Sequence, residues 1–192
     1  MQENKWFSLA DFQQCLTDSN DNPALYLWLA DYGSMTSQLK SLTDSDLNVH
    51  VLSPDNLVST ESERAFLNLD IDEKPYIREV IMSVEGKSWL YGRTVIPNQT
   101  LQGDGEQLMH LGNQPLGKLL FKQEKHCRQF IEVAKITSNH ELYPSYDKQL
   151  DDFSINKLSQ KNQPLWARRS MFSFKDCSLM VQEVFLPNCP LV

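Results

Sequence analysis

The first forty residues have apolar positions at the spacing of helices. Polar residues that favour a helix N-terminus, such as Ser8 with Asp11 three positions later, precede the apolar runs. Pro23 suits the first turn of a second helix, because the amide hydrogen that proline lacks would have no partner there. Ser34 is expected to cap a further helix that runs through Leu39. We therefore predict three short helices at the start of the chain.

Further along, apolar residues alternate with polar ones at every second position, as is typical of β-strands. The clearest pair of runs is joined by Glu85-Gly86-Lys87, a turn in which the glycine can adopt a positive φ, and this pattern predicts a hairpin. Two more short helices are predicted, one from Gly103 to Leu111 and one beginning at Pro115. The predicted strands are residues 47–52, 76–84, 89–96, 128–136, 166–174 and 179–186.

The order of these elements indicates the fold class. Strands and helices do not alternate regularly, so the pattern favours an α+β fold with a mainly antiparallel sheet of about six strands. A length of 192 residues suits a single domain, residues 1–192. Residues 138–164 are polar and weakly patterned, and a segment of this length is expected to be either an insertion or a lid. The pattern does not decide between the two.

Composition and charge exclude several classes of protein. The 18 Lys and Arg residues against 25 Asp and Glu residues give a net charge of −7, which opposes binding to nucleic acid. The longest apolar run, residues 24–30, is far shorter than the roughly 18 residues that a membrane-spanning helix needs. The first residues lack the basic and apolar stretches of a secretory signal, so we expect a cytoplasmic protein without stable membrane insertion.

The common metal and nucleophile motifs are also missing from the sequence. Its 4 cysteines include no Cys-x-x-Cys pair, and its 4 histidines form no His-x-x-x-His or His-Glu-x-x-His arrangement. No Gly-x-Ser-x-Gly elbow and no Walker-type phosphate loop occurs in the chain. We therefore expect free thiols and no metal site.

Two charged residues interrupt apolar faces of predicted strands. Alternate side chains of a strand share one face, which places Arg78 with Val80 and Met82. The same rule places Glu183 on the face of Phe185, along the most hydrophobic line of the last strand. A buried charge without a partner is strongly destabilising, so each of these groups needs a partner or a ligand.

Two interpretations of these charges stay open. Arg78 and Glu183 can form an internal salt bridge, or face solvent as the strands twist. Alternatively they line an enclosed pocket, in which Arg78 binds an anionic group and Glu183 handles a proton or a hydroxyl. Arg93 lies on the other strand of the hairpin and favours the pocket, and the pair Arg168-Arg169 must place one arginine on each face of its strand. Several cations on one side of a sheet would suit a small polyanion.

Short blocks along the chain resemble those of the chorismate pyruvate-lyase family. They occur in the family's order from about Trp28 to the C-terminus, and together they are specific. Ala167 stands where the family usually has glycine. The blocks are Ser34-Met35-Thr36, Arg78-Glu79-Val80, Gly92-Arg93-Thr94-Val95-Ile96-Pro97, Leu111-Gly112, Pro115-Leu116-Gly117, Leu120-Phe121, Arg168-Arg169-Ser170 and Glu183-Val184-Phe185-Leu186-Pro187.

The resemblance implies a fold and a reaction. The fold would be a monomer with an antiparallel sheet of about six strands and helical flaps that enclose the ligand. The reaction would convert chorismate to 4-hydroxybenzoate and pyruvate, the first committed step of ubiquinone synthesis, with no cofactor and no metal. An enclosed pocket also implies slow release of the product, and therefore product inhibition.

The resemblance also implies which residues bind the ligand. Arg78 would hold the ring carboxylate, Glu183 would meet the hydroxyl at the other end of the ring, and Met35 with Leu116 would close the pocket. Strand parity adds Arg93 as a candidate for the enolpyruvyl carboxylate. Arg78 and Glu183 are the candidate catalytic residues. Two functions of another class stay open as alternatives, an effector-binding domain and a non-catalytic carrier of an aromatic acid on the same fold.

Overall fold

The structure is a computed structural model that describes residues 2–16, 23–52, 57–121, 128–143, 164–174 and 177–191. Residues 144–163, which make up most of the predicted insertion or lid, lie outside the described residues, so that prediction is not tested. Within the described ranges no helix is long and apolar enough to cross a membrane.

The described part of the chain forms one antiparallel sheet of seven strands with five short α-helices. Two 3-10 helices cover Asn98–Leu101 and Gly103–Leu108. The strands are β1 (Phe7–Ser8), β2 (Leu47–Leu52), β3 (Tyr76–Val84), β4 (Lys87–Ile96), β5 (Arg128–Ile136), β6 (Leu165–Phe174) and β7 (Cys177–Phe185). The helices are α1 (Leu9–Leu16), α2 (Pro23–Ala30), α3 (Met35–Lys40), α4 (Glu61–Leu67) and α5 (Leu116–Leu120). Across the sheet the strand order is β1-β5-β6-β7-β4-β3-β2.

The α+β prediction is confirmed, and the six predicted strands are all present. The additional strand, β1, is a two-residue bridge that pairs Phe7 with Val133 of β5, and two residues are too few to show an alternating pattern. Helix α4 is also absent from the sequence prediction. It begins with a capping box, in which the Glu63 amide donates to the Thr60 hydroxyl at 3.2 Å and the Thr60 amide donates to the Glu63 carboxylate at 2.8 Å.

The hairpin of β3 and β4 fixes which residues share a face. Its turn holds Glu85 at φ 50° and Gly86 at φ 75°, the left-handed backbone of a two-residue hairpin turn. The strand pairing then places Arg78 opposite Thr94, and Glu183 of β7 opposite Gly92. Because alternate residues of β4 point to the same side, Arg78 and Glu183 lie on one face of the sheet.

Helices cover both faces of the sheet. On the face that carries Arg78, helices α1, α2 and α3 pack over one apolar cluster that includes Leu39 and Phe185. Helix α5 packs beside them on a second cluster that includes Phe172. Helix α4 packs on the other face, over a small cluster around Val95. The two charged residues on the first face are therefore enclosed between strands and helices.

A buried histidine makes the stability of this fold depend on pH. Burial, with the nearby positive charge of Arg169, lowers the pKa of His140 from 6.5 to about 4. Between these two values the unfolded chain binds a proton that the folded chain excludes. The contribution of the neutral His140 ring to the free energy of unfolding is therefore full above about pH 6.5 and declines as the pH falls towards 4. The decline is about 2 kcal/mol between pH 7 and pH 5.

Replacing His140 tests this pH dependence. We expect His140→Asn to flatten the decline in the free energy of unfolding, measured by urea denaturation at a series of pH values. His110→Asn is the matched control, because the His110 ring is 72% exposed. Equal slopes for the His140 variant and the wild type would contradict the assignment.

Candidate active site

A cavity lies between the sheet and the helices α3 and α5. The space that the centre of a water molecule can occupy is about 40 Å³, which is room for a few waters, so the cavity is narrow in this structure. Of the described residues, the charged ones Arg78, Arg128 and Glu183 contribute to an otherwise mainly apolar lining. Apolar side chains from the strands and from the helices include Met35, Met82, Leu116, Leu120, Phe121 and Phe172.

The floor of the cavity follows from the pairing of three strands. Arg78 and Val80 alternate along β3, and Glu183 lies on β7, with Gly92 of β4 between them. A Cβ atom added to Gly92 would lie 3.0 Å from Cγ2 of Val80, which is closer than ordinary packing allows. The glycine therefore keeps the floor low between the two charged side chains.

Arg78 is buried and binds the wall of the cavity. Its Nη2 donates to the carbonyl oxygens of Gly112 at 2.9 Å and Gln114 at 3.0 Å, just before α5. Among the described residues no carboxylate contacts Arg78, so the salt bridge with Glu183, one of the interpretations left open by the sequence, is not formed. Burial lowers the pKa of Arg78, and the electrostatic interaction with Tyr76 partly opposes this shift. Arginine still keeps its charge in proteins, and this site therefore favours an anionic ligand.

Glu183 is paired with two other arginines. Its Oε2 accepts a hydrogen bond from Nε of Arg168, and Nη1 of Arg128 lies 3.8 Å from the same oxygen. Arg168 is fully buried, and its Nη1 donates to the carbonyl oxygens of Trp28 at 3.0 Å and Asp31 at 2.9 Å. The acid on an apolar line is therefore held by cations within the sheet.

Arg128 is a cavity residue that the sequence analysis misses. It donates to Oγ of Ser170 at 2.6 Å and to the carbonyl of Gly33 at 3.1 Å, and its guanidinium lies 4.5 Å from the centre of the Phe172 ring. The register of β5 shifts between Arg128 and Phe130, so simple alternation along β5 does not give its face. Strand parity could have suggested Arg168, but not Arg128.

The site carries an excess of positive charge. Among the described residues, the guanidinium groups of Arg78 and Arg128 in the lining, and of Arg168 behind it, stand against the carboxylate of Glu183. These four groups together carry a net charge of about +2 in and directly behind a mostly apolar lining, which favours a ligand with two negative charges because little water is present to screen the attraction.

Four of the five predicted site residues meet in this cavity. Met35, Arg78, Leu116 and Glu183 all line it, while their roles in binding stay predictions. Arg93 does not reach it, and the prediction that its charge joins the same pocket is wrong. Arg93 lies opposite Glu79 in the hairpin, and paired residues point to the same face. Because Glu79 is the neighbour of Arg78 in β3, and neighbouring residues of a strand alternate, Arg93 points to the face opposite Arg78.

Arg93 instead forms the centre of a buried ionic cluster under α4. Its Nε lies 2.7 Å from Oε1 of Glu63, its Nη1 lies 2.6 Å from Oε1 of Glu79, and its Nη2 donates to the Val58 carbonyl at 2.8 Å. Burial acts to lower the pKa of Arg93, but the hydrogen bond and charge of Glu63 outweigh it and raise the pKa. The cluster binds α4 to the sheet.

Removing the Arg93 charge should therefore destabilise the fold. We expect Arg93→Gln to lose about 3 to 5 kcal/mol of unfolding free energy in urea denaturation, because Glu63 and Glu79 would stay buried without their cation. Ligand affinity of the folded protein should fall less than in Arg78→Ala. Lys87→Gln, at the exposed start of the same strand, is the control. The same urea midpoint in both variants would contradict a structural role for Arg93.

The described residues also include no group of three or more His, Cys, Asp or Glu side chains placed to hold a metal ion. Acidic residues on both faces of the sheet contact arginines instead. Glu183 contacts Arg168 on the cavity face, and Glu132 lies 2.6 Å from Arg169 on the other face. The described lining of the cavity offers a ligand the guanidinium groups of Arg78 and Arg128, the carboxylate of Glu183 and apolar side chains.

A solved structure shares the architecture. The ligand-binding domain of a protein assigned to the GntR family of transcriptional regulators, from Bordetella bronchiseptica, has a TM-score of 0.50 at 12% identity, over 77% of this chain and 88% of that one. An identity this low shows a common fold alone.

Sequence comparisons show the family. The family model described as chorismate lyase matches residues 7–191. A protein of Pectobacterium carotovorum named chorismate pyruvate-lyase is 32% identical over 168 residues, 85% of this chain and 77% of that one. A Coxiella burnetii protein named a probable chorismate pyruvate-lyase is 34% identical over 160 residues, 83% of this chain and 81% of that one. The match spans nearly the whole sequence, and the chain belongs to the chorismate lyase family of enzymes.

Proposed function

We propose that the protein converts chorismate to 4-hydroxybenzoate and pyruvate, as the first committed step of ubiquinone synthesis and without metal or cofactor. The observation that carries the proposal is the cationic cavity, since chorismate is a dianion with one ring carboxylate and one enolpyruvyl carboxylate. The mostly apolar lining suits its six-membered ring. Membership of the chorismate lyase family supports the same reaction.

The ring would lie between the two charged ends of the cavity. In the proposed complex Arg78 binds the ring carboxylate through two guanidinium N–H groups, and Glu183 accepts the hydroxyl hydrogen at the opposite end. Met35 and Leu116 close over the ring from the two helical walls. Arg128, which lines the cavity close to Glu183, replaces Arg93 as the residue proposed to face the enolpyruvyl carboxylate.

The chemistry needs no strong nucleophile. Loss of the hydrogen on C4 and cleavage of the ether bond at C3 make the ring aromatic, which drives the reaction. The protein therefore has mainly to orient the dianion and to stabilise the charge that moves onto the leaving enolpyruvyl group.

Two routes fit this requirement. In the first, the C4 hydrogen passes within the substrate to the enolpyruvyl methylene, so that the C3–O bond breaks, the oxygen becomes the ketone of pyruvate and the methylene becomes its methyl group. In the second, Glu183 takes the C4 proton and a general acid supplies one to the methylene. The engagement of Glu183 by Arg168 fixes its orientation and favours the first route, in which Glu183 positions the substrate.

A turnover assay tests the proposal. Purified protein with chorismate and excess chelator should release pyruvate and 4-hydroxybenzoate in equal amounts. An effector-binding domain would instead bind chorismate or its product without turnover, and a carrier would bind 4-hydroxybenzoate alone. Arg78→Ala serves as the matched comparison, since it keeps the fold's other ionic contacts but should release both products more slowly at a chorismate concentration below the wild-type KM. Absence of both products with wild-type protein that still binds chorismate would reject the lyase reaction.

A further inference from the structure

Two arginines connect Glu183 to the chain segment that leaves α2. Arg168 lies opposite Glu183 in the pairing of β6 and β7, and it contacts the carboxylate through Nε. Through Nη1 the same guanidinium holds the carbonyls of Trp28 and Asp31. Arg128 makes a second connection, from the neighbourhood of Glu183 to the carbonyl of Gly33.

The segment that these arginines hold leads directly into a wall of the cavity. The last carbonyls of a helix have no partner within it, so those near the end of α2 are ready acceptors for a guanidinium group. Asp31 and Gly33 are followed by Ser34, whose hydroxyl accepts from the Ser37 amide and begins α3. Ser34 and Met35 both line the cavity. The seating of α3 over the ligand site is therefore connected to the floor of the site.

We propose that Arg168 is a positioning residue that couples Glu183 to the seating of α3, so that the wall closes over the cavity only while the Glu183 carboxylate holds the Arg168 guanidinium in place. For its consequences in catalysis this inference rests on the proposed function. When α3 lifts together with the end of α2 and the segment between them, to admit substrate or release product, Arg168 loses its carbonyl acceptors at Trp28 and Asp31, and the orientation of Glu183 relaxes with it. Closure of the wall and placement of Glu183 are then one event.

The hydrogen bonds of Arg168 are specific to its shape. It is 0% exposed, and its Nη2 has no hydrogen-bond acceptor among the described residues. The hydrogen bonds that hold the Arg168 side chain in the described structure are therefore those of Nε to Glu183 and of Nη1 to the carbonyls of Trp28 and Asp31. A lysine would keep the positive charge, but one ammonium group cannot span the carboxylate on one side and both carbonyls on the other.

Arg169 provides a matched control on the same strand. It is also largely buried and ion-paired, with Glu132 at 2.6 Å, but it points to the opposite face and stacks on the rings of Trp6 and Phe66. Arg169→Lys therefore removes a comparable buried guanidinium without touching Glu183, α2 or the cavity. Effects that come from general destabilisation should appear in both variants.

Hydrogen exchange of the ligand-free protein tests the coupling. The amides of Gln38 and Ser41, which donate within α3 to Ser34 at 3.0 Å and to Ser37 at 3.2 Å, report on the seating of this helix. We expect Arg168→Lys to speed their exchange by roughly 10- to 100-fold, from the loss of one charge-assisted contact, while Arg169→Lys leaves it unchanged. Unchanged exchange in Arg168→Lys, or equal acceleration in both variants, would overturn the proposal.

Product dissociation gives a second readout. Stopped-flow release of 4-hydroxybenzoate should be about tenfold faster in Arg168→Lys. The rate of the chemical step, and with it kcat, should fall by a larger factor than KM changes, because the open wall loosens Glu183 in the bound complex. If Arg168→Lys does not fold, Glu183→Gln takes its place in the exchange experiment, and unchanged exchange there also rejects the coupling. Lack of turnover by the wild type would reject the lyase reaction but leave the exchange result decisive for the coupling.

Discussion

Arg78→Ala is expected to weaken the binding of both chorismate and 4-hydroxybenzoate by about 1.5 to 3 kcal/mol, because substrate and product share the carboxylate that this residue is proposed to bind. Titration calorimetry with 4-hydroxybenzoate measures the affinity directly. The loss should appear in KM as well as in product affinity, since the interaction is made in the ground state and kept in the transition state.

Arg78→Lys separates the two roles that the structure gives to this side chain. An ammonium group can still reach the carbonyl oxygens of Gly112 and Gln114, which Arg78 contacts in the ligand-free cavity wall. It cannot form the planar two-point contact with a carboxylate, so the rescue of affinity should be partial. Full rescue would assign Arg78 to the wall alone, and an unchanged affinity in Arg78→Ala would remove it from the site.

The strands, and the faces on which Arg78 and Glu183 lie, could be predicted from sequence because both follow from the two-residue repeat of side chains along a strand. Side chains of a strand alternate strictly, and a buried face shows this alternation as apolar residues at every second position. A charge on such a line is visible without knowledge of any partner strand. The hairpin turn is equally local, since Glu85 and Gly86 need only allow a left-handed backbone.

The partners of these charges could not be predicted, because they depend on register. Glu183 contacts Arg168 rather than Arg78, which is settled by which residues of β6 and β7 face each other. A register shift in β5 hides the cavity face of Arg128. Arg93 looked equivalent to Arg78 in the sequence, although the hairpin register places them on opposite faces.

Helix α4 shows a different limit. Its capping box is legible in the sequence at Thr60 and Glu63, yet its place in the fold comes from contacts across the chain. Glu63 meets Arg93 of β4 and Gln182 of β7, which are remote in sequence. The helix therefore belongs to the fold through an ionic cluster that no local pattern indicates.

Glu183→Gln should have two separate effects, one on stability and one on chemistry. It leaves the buried Arg168 guanidinium without its countercharge, so we expect the free energy of unfolding to fall by about 3 kcal/mol. Urea denaturation measures this loss. An unchanged stability would mean that Arg168 and Glu183 are not the buried ion pair seen here.

The effect on chemistry decides how Glu183 acts. Glutamine keeps the size of the side chain and an oxygen that can accept the substrate hydroxyl, but it cannot take up a proton from C4. We expect single-turnover rates within about tenfold of the wild type, measured at a temperature where the variant is folded, because the intramolecular route needs no base. A loss of roughly 100- to 10,000-fold with the affinity for chorismate preserved would instead assign proton transfer to Glu183. The stability loss comes from the unpaired Arg168 guanidinium and is expected whether Glu183 orients the substrate or takes its proton. The single-turnover rate of the same variant therefore decides between these two roles.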